Sequence, residues 1–138
     1  MGSTTVMSTH AQAQFEVRSW DENTYEELAG NAKLTRASVG QAFTGDLEGA
    51  GSVQWLMCYR EDQTADFVGL QRFEGRIGSR SGSFVMETRG SFDGTEAKGS
   101  LGVLAGSGTE ELSGITGTGT FAAPLGSTAA VELDYDFA

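Results

Sequence analysis

The stretch from Ser52 to Val103 constrains the fold most, because it holds four segments of alternating side chains separated by three turn signals. The clearest turn is Asp93-Gly94, since this dipeptide readily adopts the φ > 0 pair of a type I′ hairpin. A two-residue loop at Ser79-Arg80 and a three-residue loop at Asp62-Gln63-Thr64 account for the other two turns. The stretch therefore predicts four consecutive antiparallel strands.

The three turns also predict which residues lie opposite each other. Side chains alternate along a strand, and directly paired residues share a face of the sheet. The predicted pairs are Met86 with Leu101, Phe84 with Val103, Phe73 with Met86, Gln71 with Thr88, Arg72 with Glu87, Tyr59 with Phe67 and Trp55 with Gln71.

One face of these four strands carries no charged residue, whereas the other carries several. Burying charges without ideal partners costs on the order of several kcal/mol, so the uncharged face is predicted to point inward. It combines large aromatic side chains with a few polar groups, which is typical of a small-molecule site. Four glycines, Gly69, Gly75, Gly90 and Gly99, are predicted to leave room between the aromatic rings. The predicted ligand-binding residues are Trp55, Met57, Tyr59, Phe67, Gln71, Phe73, Phe84, Met86, Thr88 and Leu101.

The rest of the chain supplies four more strands. They are predicted at Gln12 to Trp20, Leu34 to Thr44, Ile115 to Ala123 and Ala129 to Phe137, with an exposed loop at Asp21 to Lys33 and one helical turn within Ala105 to Gly114. Eight short strands joined by hairpins indicate an all-β fold, an eight-stranded antiparallel up-and-down barrel of the calycin-like kind. A two-sheet sandwich is the alternative. Residues 10–138 form the single predicted domain, and residues 1–9 are interpreted as a disordered tail or cloning remnant.

Composition narrows the partners and the compartment. A formal charge of −10 argues against binding to nucleic acid or to an anionic membrane, because both require a positive patch. The single cysteine, Cys58, excludes an internal disulfide and favours a reducing cytoplasm. It is predicted to be a buried apolar filler rather than a nucleophile.

Residues for common catalytic and metal sites are scarce. The only histidine, His10, is predicted to have a structural or idle role, so no hydrolase triad is available. One histidine and one cysteine cannot form a zinc site, and the stripe Glu132, Asp134, Asp136 is interpreted as a solvated strand face. We therefore expect no metal and no cofactor, and the sequence identifies no catalytic residue.

The charged face has an apolar centre, which an outer barrel surface normally lacks. Such a patch usually marks an interface, so we expect a homo-oligomer. Its rim includes a predicted salt bridge between Arg72 and Glu87. The predicted patch consists of Leu56, Cys58, Val68, Leu70 and Val85.

Five segments carry a resemblance to a known family: LTRASVGQAFTGDLEGAG, FVGLQRFEGRIGSRSGSF, GSFDG, GSGTEELSGITGTGTF and LDYDF. From about Thr9 to Phe137 the chain resembles an uncharacterised family of small bacterial proteins, known only as a domain of unknown function. The resemblance implies a barrel similar to allene oxide cyclase, and ITGTGTF and TGDL are the pieces most similar to the plant cyclases. Those cyclases use a glutamate on the first strand. Glu16 is the comparable residue here, although Phe15 and Val17 are predicted to take the inward positions.

Three functions remain open on these grounds. The first is a barrel that binds an apolar small molecule, as an isomerase or cyclase that holds a flexible substrate in a reactive shape. The second is a non-catalytic carrier of an apolar metabolite, and the third is an interaction domain with a filled core. In the first, Tyr59 and Gln71 would orient the substrate by neutral hydrogen bonds, because the inward face offers no strong acid or base.

Overall fold

The protein is a closed antiparallel β-barrel in which each strand pairs with the next and the last pairs with the first. The computed structural model describes residues 8–138. A single 3₁₀ turn, Glu110–Leu112, lies between the sixth and seventh strands. The eight-stranded up-and-down barrel predicted from the sequence is confirmed, and the sandwich is not formed. The strands are β1 Thr9–Glu27, β2 Lys33–Gly45, β3 Leu47–Tyr59, β4 Ala65–Ile77, β5 Arg80–Phe92, β6 Glu96–Val103, β7 Ile115–Pro124 and β8 Ala129–Phe137.

The N-terminal segment was interpreted as a tail over residues 1–9. Strand β1 begins at Thr9, inside that segment, whereas residues 1–7 lie outside the described residues. Within residues 8–138, no helix has the length and apolar character needed to cross a lipid bilayer.

Burial alternates along the strands as the charge pattern predicts. In β3, for example, Val53, Trp55 and Met57 are buried, while the residues between them are exposed. The whole uncharged face of the central four strands points into the barrel, and its charged partner face points to solvent. The inward assignment of that face is therefore confirmed.

The central hairpins are each shifted by two residues from the predicted register. The turns are wider or displaced, so that Met86 pairs with Val103, Phe73 with Phe84, Gln71 with Met86, Tyr59 with Ala65 and Trp55 with Gly69. A shift of two leaves every side chain on its predicted face, because the side-chain period of a strand is also two.

Asp93 shows why one of the turns is wider. Its carboxylate accepts hydrogen bonds from the backbone N–H groups of Thr95 and Glu96, both at 2.9 Å, which lower the pKa of Asp93 to about 2. Only Gly94 has a positive φ, of 101°, so the turn is not type I′. The shift at the neighbouring hairpin also separates the predicted ion pair. Arg72 now lies opposite Val85 and approaches Glu74 on its own strand at 3.4 Å, not Glu87.

The inward glycines lie beneath aromatic rings. Trp55 is directly opposite Gly69, Phe67 is opposite Gly90, and Phe121 is opposite Gly99. A Cβ atom on these glycines would lie 2.5, 2.8 and 2.7 Å from the respective ring atoms and closer still to backbone carbonyl oxygens. The prediction that these glycines leave open space is therefore wrong at these positions, because the rings and the neighbouring strand fill it.

Strand β1 is much longer than predicted. Most of the expected loop from Asp21 to Lys33 is strand, paired with β2, and only residues 28–32 form the connection. A β-bulge between Val17 and Ser19 adds Arg18 without a partner on β2. A one-residue insertion exchanges the two faces of a strand. Before the bulge, Phe15 points inward and Val17 is 49% exposed. Beyond the bulge, Trp20 and Glu22 lie on the inward side.

The two ends of the barrel differ. At one end, the segment that joins β6 to β7 folds back, buries Leu112 completely and bonds to β5 through Thr109 and Ser83. The 3₁₀ turn there agrees with the predicted helical turn. We call this the closed end. The opposite end, formed by the hairpin loops at residues 28–32, 60–64, 93–95 and 125–128, is called the open end.

A glycine substitution tests the role of the close approach. We expect Gly69→Ala to lower the free energy of unfolding by about 1–3 kcal/mol, because the new methyl group meets Trp55 and the Gln54 carbonyl oxygen. Gly102→Ala is the matched control. It lies in β6 with no atom within 4 Å of the added Cβ, and we expect a change within about 0.5 kcal/mol. Urea unfolding measures both, and equal stability of the two variants would contradict the packing described above.

Candidate ligand-binding site

A cavity of about 600 Å³ occupies the open end of the barrel. Most of its wall is apolar, and seven of the lining residues are aromatic. The lining residues are Phe15, Glu16, Val17, Trp20, Trp55, Met57, Tyr59, Phe67, Phe92, Ala97, Phe121, Ala123, Pro124, Leu125, Gly126, Ser127 and Thr128.

The cavity opens through the side of the barrel. Strand β8 pairs with β1 only as far as Phe15 and Ala129, although β1 continues for another twelve residues to Glu27. The stretch of β1 beyond Phe15 therefore faces the β7–β8 loop without a hydrogen-bonded ladder between them. We call this opening the lateral gap. Both of its sides contribute to the cavity lining, through Glu16 to Trp20 of β1 and Pro124 to Thr128 of the loop.

A row of aromatic rings forms one wall of the cavity. The ring centroids of Trp20 and Trp55 are 5.8 Å apart, those of Trp55 and Phe67 are 5.2 Å apart, and those of Phe67 and Phe121 are 6.1 Å apart. All three pairs are tilted, with interplanar angles of 41–52°. Tilted rings at these separations attract each other, so the wall is held in place without a ligand.

The predicted ligand-binding residues fall into two groups. Trp55, Met57, Tyr59 and Phe67 line the cavity, and their binding role remains a prediction. The other six lie deeper, at most 5% exposed, in the packed core between the cavity and the closed end. These six are Gln71, Phe73, Phe84, Met86, Thr88 and Leu101.

The polar residues of this deeper group have partners inside the protein. Thr88 accepts a hydrogen bond from the indole N–H of Trp55 at 2.9 Å. Gln71 donates to the side-chain oxygen of Gln41 on β2 at 2.6 Å. Within residues 8–138, the Gln41 Nε2 group is the one buried side-chain polar atom without a hydrogen-bond partner. The glutamine pair is therefore a polar element of the core, and Gln71 does not reach the cavity.

Sequence reasoning missed one acidic residue at this site, Glu22. Its carboxylate accepts hydrogen bonds from the indole N–H of Trp20 at 3.0 Å, the Thr35 hydroxyl at 2.6 Å and the Tyr59 hydroxyl at 2.8 Å. Two of these partners, Trp20 and Tyr59, line the cavity. The inward face of the four central strands carries no charged residue, as expected, but β1 adds this carboxylate to the interior. The bulge at Arg18 is the cause, because alternation counted from Phe15 would place Glu22 outside.

The environment fixes the charge states of this group. Partial burial favours the neutral form of Glu22 and by itself would raise its pKa. The opposing effects are larger and hold the pKa of Glu22 below its ordinary value: hydrogen bonds from Thr35, Tyr59 and Trp20, and the nearby Lys33 ammonium. Burial and the adjacent carboxylate both raise the pKa of Tyr59 well above its ordinary value. At neutral pH the site therefore holds an ionised glutamate and a neutral tyrosine.

Glu16, the residue singled out by the resemblance to plant cyclases, has a different environment. Its side chain is about half exposed and forms an ion pair with Arg18 at 2.7 Å. It reaches the cavity only at the lateral gap, where the side chains of Phe15 and Val17 also contribute. Of Glu16 and Glu22, Glu22 is thus the better enclosed.

The outer surface corrects one further prediction. Cys58 is a free thiol on the exposed face, not a buried filler. His10 lies in β1, with Nδ1 2.6 Å from Asp134 Oδ1 and Nε2 3.2 Å from Glu132 Oε1, so it spans the predicted acidic stripe. The hydrogen bond to Asp134 raises the pKa of His10 and outweighs the opposing effect of desolvation. No group of three or more His, Cys, Asp or Glu residues in the described part of the chain is arranged to hold a metal ion.

The apolar outer patch is present on β3 and β4. Leu56, Val68 and Leu70 are 49%, 40% and 54% exposed, and Leu56 lies directly opposite Val68. Val85, the fifth predicted member, is partly buried beneath the β6–β7 connection. Its backbone N–H donates a hydrogen bond to the Ser107 hydroxyl of that connection.

Comparison with known proteins agrees with this architecture. A crystal structure of a protein of unknown function from Shewanella oneidensis MR-1, assigned to the DUF3224 family, superposes with a TM-score of 0.81. The two chains are 25% identical over 95% of this chain and 98% of that one. No curated protein matches the sequence. The family model described as "Protein of unknown function (DUF3224)" matches residues 11–135, nearly the whole barrel, and the chain therefore belongs to the DUF3224 family.

Proposed function

We propose that this barrel binds an apolar small molecule in the cavity at its open end. The observation that carries the proposal is the cavity of about 600 Å³ with a largely aromatic wall. Its volume lies within the range of about 300–1,000 Å³ that is typical of small-molecule sites. The few polar groups at its edge, among them the hydroxyls of Tyr59, Ser127 and Thr128, would orient the bound molecule.

The distribution of packing supports binding over a purely structural role. An eight-stranded barrel is just wide enough for side chains to fill it or for one small ligand to occupy it. Here the half towards the closed end is filled by residues such as Phe73, Phe84 and Leu112, which are fully buried. The half towards the open end has large rings only along its wall. A filled-core interaction domain would have no reason to keep this half open.

The pair Glu22 and Tyr59 favours a second candidate, an isomerase or cyclase without a cofactor. A fixed negative charge beside the cavity would stabilise positive charge that develops on a substrate, and the neutral Tyr59 hydroxyl keeps that carboxylate in position. The shape of the cavity would hold a flexible substrate in a reactive conformation. This catalytic role shares the cavity with the first candidate and adds a chemical step to binding.

We also propose that the protein acts in the cytoplasm and as a homo-oligomer. An exposed free thiol such as Cys58 persists most easily in a reducing compartment. The exposed leucines and valine of the outer patch would be covered in an oligomer.

A cavity-filling substitution tests the binding proposal. Ala123 lines the cavity and Ala130, on the neighbouring strand, is exposed on the outer face. We expect a fluorescent apolar probe to bind the native barrel and to bind Ala123→Leu at least about tenfold more weakly, because the added methyl groups occupy the site. Ala130→Leu should bind the probe as the native protein does. Equal binding by all three proteins would place the probe elsewhere.

The charge of Glu22, which the catalytic candidate requires, has a signature in stability. Its folded-state pKa lies below the unfolded value of about 4.5, so its ionised form stabilises the barrel above that pH and loses this contribution as the pH falls through the folded-state pKa. We expect Glu22→Gln to be less stable than the native protein at pH 7 and to lose less stability on acidification to pH 3. Urea unfolding at both pH values is the measurement, with Glu74→Gln on the outer face of β4 as the control. An unchanged pH dependence in Glu22→Gln would show that the carboxylate is not held in its charged form.

The outer patch makes a separate prediction about assembly. Sedimentation should show a dimer or larger oligomer at micromolar concentrations, and Leu70→Lys should shift it towards monomer because a charge then sits in the apolar contact. Leu125→Lys changes another exposed leucine, far from the patch at the open end, and should leave the oligomer intact. A native protein that remains monomeric at high micromolar concentration would rule out this assembly.

A further inference from the structure

The charged groups that reach the cavity are all acidic. Among the lining residues that belong to the described range 8–138, Glu16 is the only one with a charged side chain, and none is a lysine, arginine or histidine. Glu22 adds a second carboxylate immediately behind Trp20 and Tyr59. An anionic group on a bound molecule would therefore approach the carboxylates of Glu16 and Glu22 and meet no basic side chain among the described lining residues.

The hydrogen-bond donors at the same place are already engaged. The indole N–H of Trp20 and the hydroxyl of Tyr59 both donate to Glu22, and the indole N–H of Trp55 donates to Thr88. A ligand carboxylate would have to displace Glu22 from its own donors. The Trp20 and Trp55 rings also line the cavity, and the face of a tryptophan ring attracts cations.

The nearest basic side chains have acidic or aromatic partners of their own. Arg18 pairs with Glu16, Arg60 pairs with Asp66, and the Lys33 ammonium lies 5.3 Å from the centroid of the Tyr59 ring. The loops at the open end add further acidic residues, Glu61, Asp62 and Asp93. With a formal charge of −10 on the whole chain, the field at the lateral gap favours cations.

We propose that the cavity recognises an apolar molecule that carries a positively charged amine or quaternary ammonium group, and that it discriminates against carboxylates. The apolar part lies along Phe67 and Phe121, and the cationic group lies at the lateral gap between the tryptophan faces and Glu22. This inference rests on the proposed binding function and names the ligand class for the same cavity.

Three ligands with the same ten-carbon chain separate charge from hydrophobicity: decyltrimethylammonium, decanol and decanoate. Their dissociation constants are measured by displacement of the apolar probe at pH 7, below the critical micelle concentration of each ligand. We expect decyltrimethylammonium to bind about tenfold more tightly than decanol, and decanoate to bind about tenfold more weakly than decanol. Added salt should narrow both differences, since part of the discrimination is electrostatic.

Matched variants assign the preference to the cavity. Glu22→Gln should reduce the ammonium preference about tenfold and leave decanol binding nearly unchanged, whereas Glu74→Gln on the outer face should change neither. If Glu22→Gln does not fold, Glu16→Gln at the rim provides the same comparison with a smaller expected loss. Ala123→Leu should weaken binding of all three ligands, because the larger side chain fills the cavity. Attraction of the ammonium to the acidic outer surface would instead survive that substitution.

The outcomes distinguish this inference from the proposed function. Decanoate that binds as tightly as decyltrimethylammonium would overturn the cation preference while leaving an apolar binding site intact. Decyltrimethylammonium that binds Ala123→Leu as tightly as it binds the native protein, while decanol binding is weakened, would likewise overturn it, since the ammonium would then bind at the outer surface. Failure of decanol to displace the probe from the native protein would instead overturn the binding function itself.

Discussion

The close approach of aromatic rings to glycines on the neighbouring strand is the contact on which the barrel interior depends. Trp55 over Gly69, Phe67 over Gly90 and Phe121 over Gly99 form successive steps around the wall. A side chain on any of these glycines would push the ring towards the barrel axis. The rings occupy the space beside these glycines, and a cavity of about 600 Å³ lined in part by the same rings remains at the open end.

The second determinant is the β-bulge at Arg18 in β1. Arg18 reverses the faces of the strand, which brings Trp20 against Trp55 and places Glu22 beneath the Tyr59 hydroxyl. The partly buried carboxylate is tolerated because three donors satisfy it, in keeping with the rule that buried charge requires hydrogen-bonded partners. The bulge thus supplies the cavity with its one enclosed charge. Bulges commonly aim side chains at functional sites, and this one follows that pattern.

Alternation and turn chemistry were enough to predict the strand number, the barrel and the inward face of the four central strands. The register errors did not change the face assigned to any side chain, because each was a shift of two residues. The errors that mattered had causes that no local pattern shows. The β1 bulge depends on pairing with a distant part of β2, and the space around Gly69 depends on the ring that Trp55 places there. Gln71 and Trp55 face the same interior, but only the three-dimensional arrangement shows that one lies in the core and the other in the cavity.

The lateral gap has a consequence for how fast a molecule could be loaded and released. In a barrel with a complete ladder and both ends covered, a molecule larger than water must wait for strands or end segments to separate, and exchange is then tied to the stability of the fold. Here the ladder between β1 and β8 ends at Phe15, so passage beside the β7–β8 loop breaks no strand pair. Loading would therefore depend on movement of a four-residue loop, residues 125–128, and not on opening of the sheet. Substitutions that stabilise the closed end could slow unfolding of this barrel without slowing the entry or release of a molecule beside the β7–β8 loop.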